Sequence, residues 1–134
     1  AGTYCKYRMV LREVVLEFGR HSQFTPSNSD LRFLEESLSN WQPFLDTVDS
    51  LKQLADKFKL ATISNIDDDM FAYSVNRLQV MFDYVITAES TQSYKPSHNN
   101  FNLALDCIEV AKGEILNVVQ NVYHNIVPAK LNRV

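Results

Sequence analysis

Residues 60–65, with the sequence Leu-Ala-Thr-Ile-Ser-Asn, form a short apolar run that ends in two small polar side chains. Three aspartates, Asp67, Asp68 and Asp69, follow almost directly and precede an amphipathic segment. This order predicts a buried strand that ends close to the start of a helix. Because open α/β sheets bind their ligands at the carboxyl ends of the strands, the stretch also predicts a ligand-binding edge.

The chain after this stretch repeats the unit of strand followed by helix. Apolar runs at residues 83–88 and 114–119 predict a second and a third strand. Before residue 43, helical spacing predicts two amphipathic helices; Gly19 is expected to cap the first, and residues 27–30 supply capping side chains for the second. The alternation predicts an α/β fold with a parallel sheet and helices on both of its faces.

Composition limits the class of protein. The chain has 134 residues and is 46% hydrophobic, which suffices for one domain with a core. Its net charge is −3 and no basic stripe occurs, so a nucleic-acid partner is not expected. No apolar run reaches the roughly 18 residues of a membrane span. Cys5 and Cys107 lie far apart and no signal-peptide pattern is present, so we expect two free thiols in the cytoplasm.

Polar residues at the two predicted strand ends allow more than one interpretation. Ser64 and Asn65 could hold an anion together with nearby backbone N–H groups, or they could simply cap the following helix. Lys95 could neutralise a carboxylate nucleophile and an anionic substrate together, or it could be a solvated surface lysine. The three aspartates point in different directions on a helix whose dipole favours acids in its first turn, so no metal site is expected.

Five segments of the sequence carry a family resemblance: WQPFLDTV at 41–48, LATISNID at 60–67, FD at 82–83 with TAE at 87–89, SYKP at 93–96, and VQNVYHNIVPAK at 119–130. In this order they resemble the haloacid dehalogenase superfamily, and most closely its L-2-haloacid dehalogenase-like branch. The resemblance implies a Rossmann-like parallel sheet core with an α-helical cap. The cap would comprise residues 1–43, and residues 44–134 would form a partial core.

The resemblance also implies a mechanism and a set of site residues. Members of the family attack the substrate with an aspartate at the end of the first core strand, form an ester intermediate and hydrolyse it with water. Ser64 would supply the hydroxyl of the second motif, and Asn65 would contact the substrate or its halide. Lys95 would be the lysine of the third motif, which balances the charge of the nucleophile.

At the fourth motif the resemblance implies substrate contacts for Gln120 and Asn121 and a catalytic position for Asn125, where dehalogenases usually have an acid. Phosphatases of the superfamily present two carboxylates to magnesium here. Because a hard divalent cation prefers anionic oxygen, the amides disfavour a magnesium-dependent phosphatase, and we expect no cofactor. Phe101 also occupies the place where many dehalogenases have a tyrosine.

The segment that would carry the attacking aspartate is not found ahead of Ala1. We therefore expect the full-length form to be a hydrolase of a small anionic substrate of the 2-haloacid type, and this chain alone to be inactive. A sheet without its central strand should be poorly stable, or be completed by a second copy or a complementing segment. A non-catalytic remnant that acts by binding or assembly, and a magnesium-dependent phosphatase, are the alternative hypotheses.

Overall fold

The computed structural model describes residues 3–119, 126, 129 and 130. Six α-helices and two strands follow one another along this part of the chain, with two short 3-10 turns at Leu38–Asn40 and Lys112–Glu114. In chain order the elements are α1 (Tyr7–Ser22), α2 (Asn28–Ser37), α3 (Thr47–Ala55), β1 (Ala61–Ser64), α4 (Asp68–Leu78), β2 (Tyr84–Thr87), α5 (Ala88–Thr91) and α6 (His98–Cys107). None of the helices in the described ranges has the length and apolar character to cross a membrane.

The strands β1 and β2 form a parallel pair, with α4 as the connection between them. Ala61 lies opposite Tyr84, and Ser64 lies opposite Thr87, so both strands end at the same edge of the sheet. The first two predicted strands and the parallel α/β class are therefore confirmed.

The third predicted strand, at residues 114–119, is wrong for the described structure. Lys112–Glu114 is a 3-10 turn, and residues 115–119 are not paired in a sheet. In a Rossmann-type order of 3-2-1-4, the fourth strand pairs with the first and not with the second or third. If β1 and β2 are strands 2 and 3 of such a sheet, no described segment supplies the partner. Leu116 and Val118 accordingly remain 86% and 82% exposed.

The sequence predicted that Gly19 caps the first helix, and this prediction is wrong. Gly19 lies buried inside α1. Gln23 has the left-handed conformation that ends α1, with φ 57°. A Cβ atom on Gly19 would lie 2.8 Å from the carbonyl oxygen of Phe24 and from the ring of Pro26. The glycine is thus needed for the close approach of the returning chain. The predicted start of α2 is confirmed, because Ser27 and Asp30 form a reciprocal capping box.

The core connects the helix pair α1–α2 to the strand edge. Ile66, Met70 and Phe71 form its buried centre, and Tyr7 and Leu11 of α1 pack against them. These contacts bring the amino-terminal end of α1 next to the residues that follow β1.

Asp67 fixes this junction by polar contacts. Its side chain is fully buried, and it accepts hydrogen bonds from the backbone N–H groups of Tyr7 at 2.7 Å and Arg8 at 3.2 Å. The Arg8 Nε atom lies a further 3.3 Å from the carboxylate. Asp67 is therefore the acceptor that caps α1, although about sixty residues separate the two in sequence.

We expect Asp67→Ala to lower the free energy of unfolding by about 2–4 kcal/mol, because it leaves the backbone N–H groups of Tyr7 and Arg8 without their acceptor and removes one of the carboxylates around the Arg8 guanidinium. Urea unfolding followed by circular dichroism measures the change. Asp56→Ala removes an exposed acid just after α3 and should cost less than about 0.5 kcal/mol. Equal losses in the two variants would show that the capping contacts are not important for stability.

Candidate active site

Lys95 lies at the carboxyl end of β1, although it follows β2 in sequence. Its Nζ atom donates a hydrogen bond of 2.6 Å to the backbone carbonyl of Ile63. The residue is partly buried, and this burial lowers the pKa of the ammonium group from the ordinary lysine value. The surface-lysine interpretation is therefore wrong, and a desolvated cation is held at the strand edge.

Asn65 holds the backbone of Lys95 with both ends of its amide. The Asn65 Oδ1 atom accepts from the Lys95 N–H at 2.7 Å, and Nδ2 donates to the Lys95 carbonyl at 3.2 Å. The side chain does not cap α4, whose first N–H, that of Asp68, donates instead to Glu89 at 3.0 Å. The capping interpretation of Asn65 is thus wrong, since the side chain joins the end of β1 to the turn that contains Lys95.

Ser64 is the last residue of β1 and immediately precedes Asn65. It is partly buried, and its hydroxyl makes no hydrogen bond to another residue of the described ranges. Its opposite residue in the sheet, Thr87, donates its hydroxyl to Asp68 and caps α5. Ser64 therefore does not cap α4 either, and its hydroxyl can reach a ligand at this edge.

Asn100 is a site residue that sequence reasoning missed. Its side chain is fully buried, and its amide donates to the Ser93 hydroxyl at 3.3 Å and to the Ser97 carbonyl at 3.4 Å. It thereby fixes both ends of the turn that contains Lys95. Asn100 lies four residues before the buried Ala104, so the two residues share the apolar face of α6. A polar residue on such a face needs hydrogen-bond partners, and this was the signal in the sequence that could have identified Asn100.

The three aspartates after β1 each bind protein donors. Asp67 caps α1, and Asp68 accepts a hydrogen bond from the Thr87 hydroxyl. Both carboxylate oxygens of Asp69 accept from one guanidinium nitrogen of Arg8. That pairing lowers the pKa of the Asp69 carboxyl. Within the described ranges, no group of three or more acidic, histidine or cysteine side chains is placed to hold a metal ion.

The segment before α1 packs beside the lysine. The rings of Tyr4 and Tyr94 are stacked, with centroids 5.5 Å apart and planes 29° from parallel. The Tyr94 hydroxyl donates to the Cys5 carbonyl at 2.8 Å, and Lys6 forms a 2.8 Å ion pair with Glu89. Burial raises the pKa of both phenols, that of Tyr4 to about 12. Both tyrosines therefore remain hydrogen-bond donors at neutral pH.

The residues of the fourth motif, Gln120, Asn121 and Asn125, lie outside the described residues, so their predicted roles stay predictions. Phe101 is 4% exposed and belongs to the core. The structure thus brings Ser64, Asn65 and Lys95 together at the carboxyl end of β1.

A family model described as "haloacid dehalogenase-like hydrolase" matches residues 8–127 of the chain. Two structures of the L-2-haloacid dehalogenase from Xanthobacter autotrophicus match with a TM-score of 0.83 and 25% identity, over 96% of this chain and 52% of that one. One of them has chloropropionic acid covalently bound.

The defluorinating L-2-haloacid dehalogenase Rha0230 matches with a TM-score of 0.73 over 85% of this chain and 48% of that one. At 18% identity, this match concerns the fold alone. No curated protein matches the sequence significantly. By the coverages of 52% and 48%, the chain spans about half the length of these solved structures.

We predict that part of the tyrosine absorbance change on alkaline titration occurs well above the ordinary pKa of 10.0, with Tyr4 ionising near pH 12. Because the folded-state pKa of Tyr4 is raised, the associated stability is complete below pH 10 and is lost as the pH rises toward 12. Ultraviolet difference titration of the native protein, of Tyr4→Phe and of the urea-unfolded chain measures this late phase. A late phase of unchanged size in Tyr4→Phe would contradict the assignment.

Proposed function

Because the chain belongs to the haloacid dehalogenase-like hydrolase family, as its five motif segments predict, we propose that the full-length protein hydrolyses a small anionic substrate of the 2-haloacid type. In this proposal the reaction proceeds through an ester with an enzyme aspartate, followed by attack of water on the ester. The covalent chloropropionic acid in the Xanthobacter structure supports the proposal by analogy.

The observation that carries the proposal is the position of the Lys95 ammonium. It is fixed at the carboxyl end of β1 by the Ile63 carbonyl, in a partly desolvated setting where a charge acts more strongly than in water. A carboxylate nucleophile and a carboxylate substrate repel each other at short range. A cation between them offsets this repulsion and favours their approach.

Ser64 and Asn65 provide the polar wall beside this cation. The Ser64 hydroxyl is suited to donate to a carboxylate oxygen, while the Asn65 amide sets the position of the lysine backbone and lines the same edge. On this proposal Ser64 and Lys95 contact the reacting groups. Asn65 positions the backbone of Lys95 and contacts the substrate or its halide.

The attacking aspartate would come from a strand that pairs with β1 on the side opposite β2. The three aspartates that follow β1 are used by α1, by Thr87 and by Arg8, so none of them is suited to the role. The complementing strand would also give residues 115–119 a partner. Residues 1–43 would form the cap over the site, and Gln120, Asn121 and Asn125 would complete the polar wall.

We expect the 134-residue chain alone to release no chloride from 2-chloropropionate, and the full-length protein to release it. In the full-length protein, Lys95→Met should lower kcat/KM by about 10²–10³, because one preorganised charge at the reacting groups is lost. Lys57→Met removes an exposed lysine after α3 and serves as the matched control. Chloride release measures the rates.

Three outcomes would contradict the proposal. Unchanged turnover in Lys95→Met would return this lysine to a structural role. Phosphate release from a generic monoester that requires magnesium, with no chloride release, would favour the phosphatase hypothesis. Absence of both activities from the full-length protein would favour the non-catalytic hypothesis.

A pH prediction follows from the burial of Lys95. In the 134-residue chain, burial lowers the pKa of the Lys95 ammonium below the ordinary value of 10.5. We therefore expect Lys95 in this chain to lose its proton at a pH lower than 10.5, as measured by NMR titration with Lys95→Met to assign the signal. A carboxylate nucleophile beside the ammonium would oppose this shift, so the transition should move upward in the full-length protein. A Lys95 transition at or above 10.5 in the 134-residue chain would contradict the effect of burial.

A further inference from the structure

The turn that contains Lys95 is held from three directions. Asn65 binds the Lys95 backbone from the end of β1, and Asn100 binds Ser93 and Ser97 from α6. Both anchors lie on the sheet side of the site. The third direction is toward the segment before α1. Among the described hydrogen bonds of the turn, the one that reaches this segment comes from Tyr94.

Tyr94 makes two kinds of contact with this segment. Its ring stacks on Tyr4, and its hydroxyl donates to the Cys5 carbonyl. Tyr7 contributes a third ring, with its centroid 6.5 Å from that of Tyr94. A stacked ring with one directed hydrogen bond fixes both the plane and the rotation of the side chain. Because Tyr94 and Lys95 are adjacent, fixing the Tyr94 side chain restrains the backbone from which Lys95 projects.

The segment is itself firmly placed. Its carboxyl-terminal end is bound by Asp67 through the N–H groups of Tyr7 and Arg8, and Lys6 pairs with Glu89 after β2. Tyr94 therefore packs against a segment that contacts residues following both β1 and β2. These contacts make the segment a rigid support for the turn.

We propose that Tyr94 is a positioning residue for Lys95, and that it couples the placement of the ammonium at the strand edge to the position of the helix pair α1–α2. This inference rests on the proposed function only for its kinetic test. Tyr94 itself need not touch the substrate, since its hydroxyl is engaged by the Cys5 carbonyl.

The kinetic test uses the full-length protein, with Tyr94→Leu, Tyr94→Phe and Lys95→Met alone and combined. Tyr94→Leu should lower kcat by about tenfold or more and change KM little, as expected when a reacting group is displaced by a fraction of an ångström to an ångström. Tyr94→Phe keeps the stacked ring and should retain most of the activity. In the Lys95→Met background, Tyr94→Leu should have no further effect, because it acts only through the lysine.

A second measurement does not depend on turnover. The rate of Lys95 modification by an amine-reactive reagent, followed by mass spectrometry, should rise in Tyr94→Leu and much less in Tyr94→Phe. Phe71→Leu, a change in the buried centre of the core on α4, provides a destabilised control and should leave the Lys95 rate unchanged. Conditions are chosen so that all variants remain folded by circular dichroism.

The outcomes separate the two proposals. Full activity in Lys95→Met overturns the proposed function, while a selective rise in Lys95 labelling in Tyr94→Leu still supports the positioning role. If Lys95→Met loses activity but Tyr94→Leu lowers it further in the double variant, the positioning role is overturned and the proposed function stays in place. The same holds if Lys95 is labelled no faster in Tyr94→Leu than in Phe71→Leu.

Discussion

The buried carboxylate of Asp67 is the constraint on which the rest of the structure depends. A fully buried charge is costly unless donors surround it, and here the donors come from a helix terminus and an arginine far away in sequence. Satisfying Asp67 therefore requires α1 to begin at the end of β1. The helix pair and the sheet edge become a single unit because neither partner can move without exposing unpaired groups.

The same edge has to hold a second desolvated charge, that of Lys95. Its Nζ atom donates to the Ile63 carbonyl at 2.6 Å, and this contact orients the ammonium at the end of β1. The two charged groups have different surroundings: the N–H groups that donate to Asp67 join α1 to the sheet, while Lys95 is held at the strand edge where the proposed chemistry takes place.

Sequence patterns predicted the parts of the fold that depend on local periodicity. The strands at Ala61–Ser64 and Tyr84–Thr87 and the capping box at Ser27 follow from such patterns, and the motif segments pointed to Lys95. Contacts between distant residues could not be predicted, so the acceptor role of Asp67 and the anchoring by Asn100 were missed. The expected strand at residues 114–119 failed for a related reason, since a strand needs a partner as well as a suitable sequence.

Amides, and not carboxylates, hold the turn of Lys95, and this choice has a physical reason. A side-chain amide offers both N–H donors and an acceptor oxygen, so Asn65 satisfies both the N–H and the carbonyl of the Lys95 backbone. An aspartate at that position would leave the carbonyl without its donor and would place a negative charge beside the ammonium. The same holds for Asn100, which donates on both sides of the turn. Neutral anchors therefore fix the geometry of the lysine and add no anion that would compete with a substrate carboxylate for its charge.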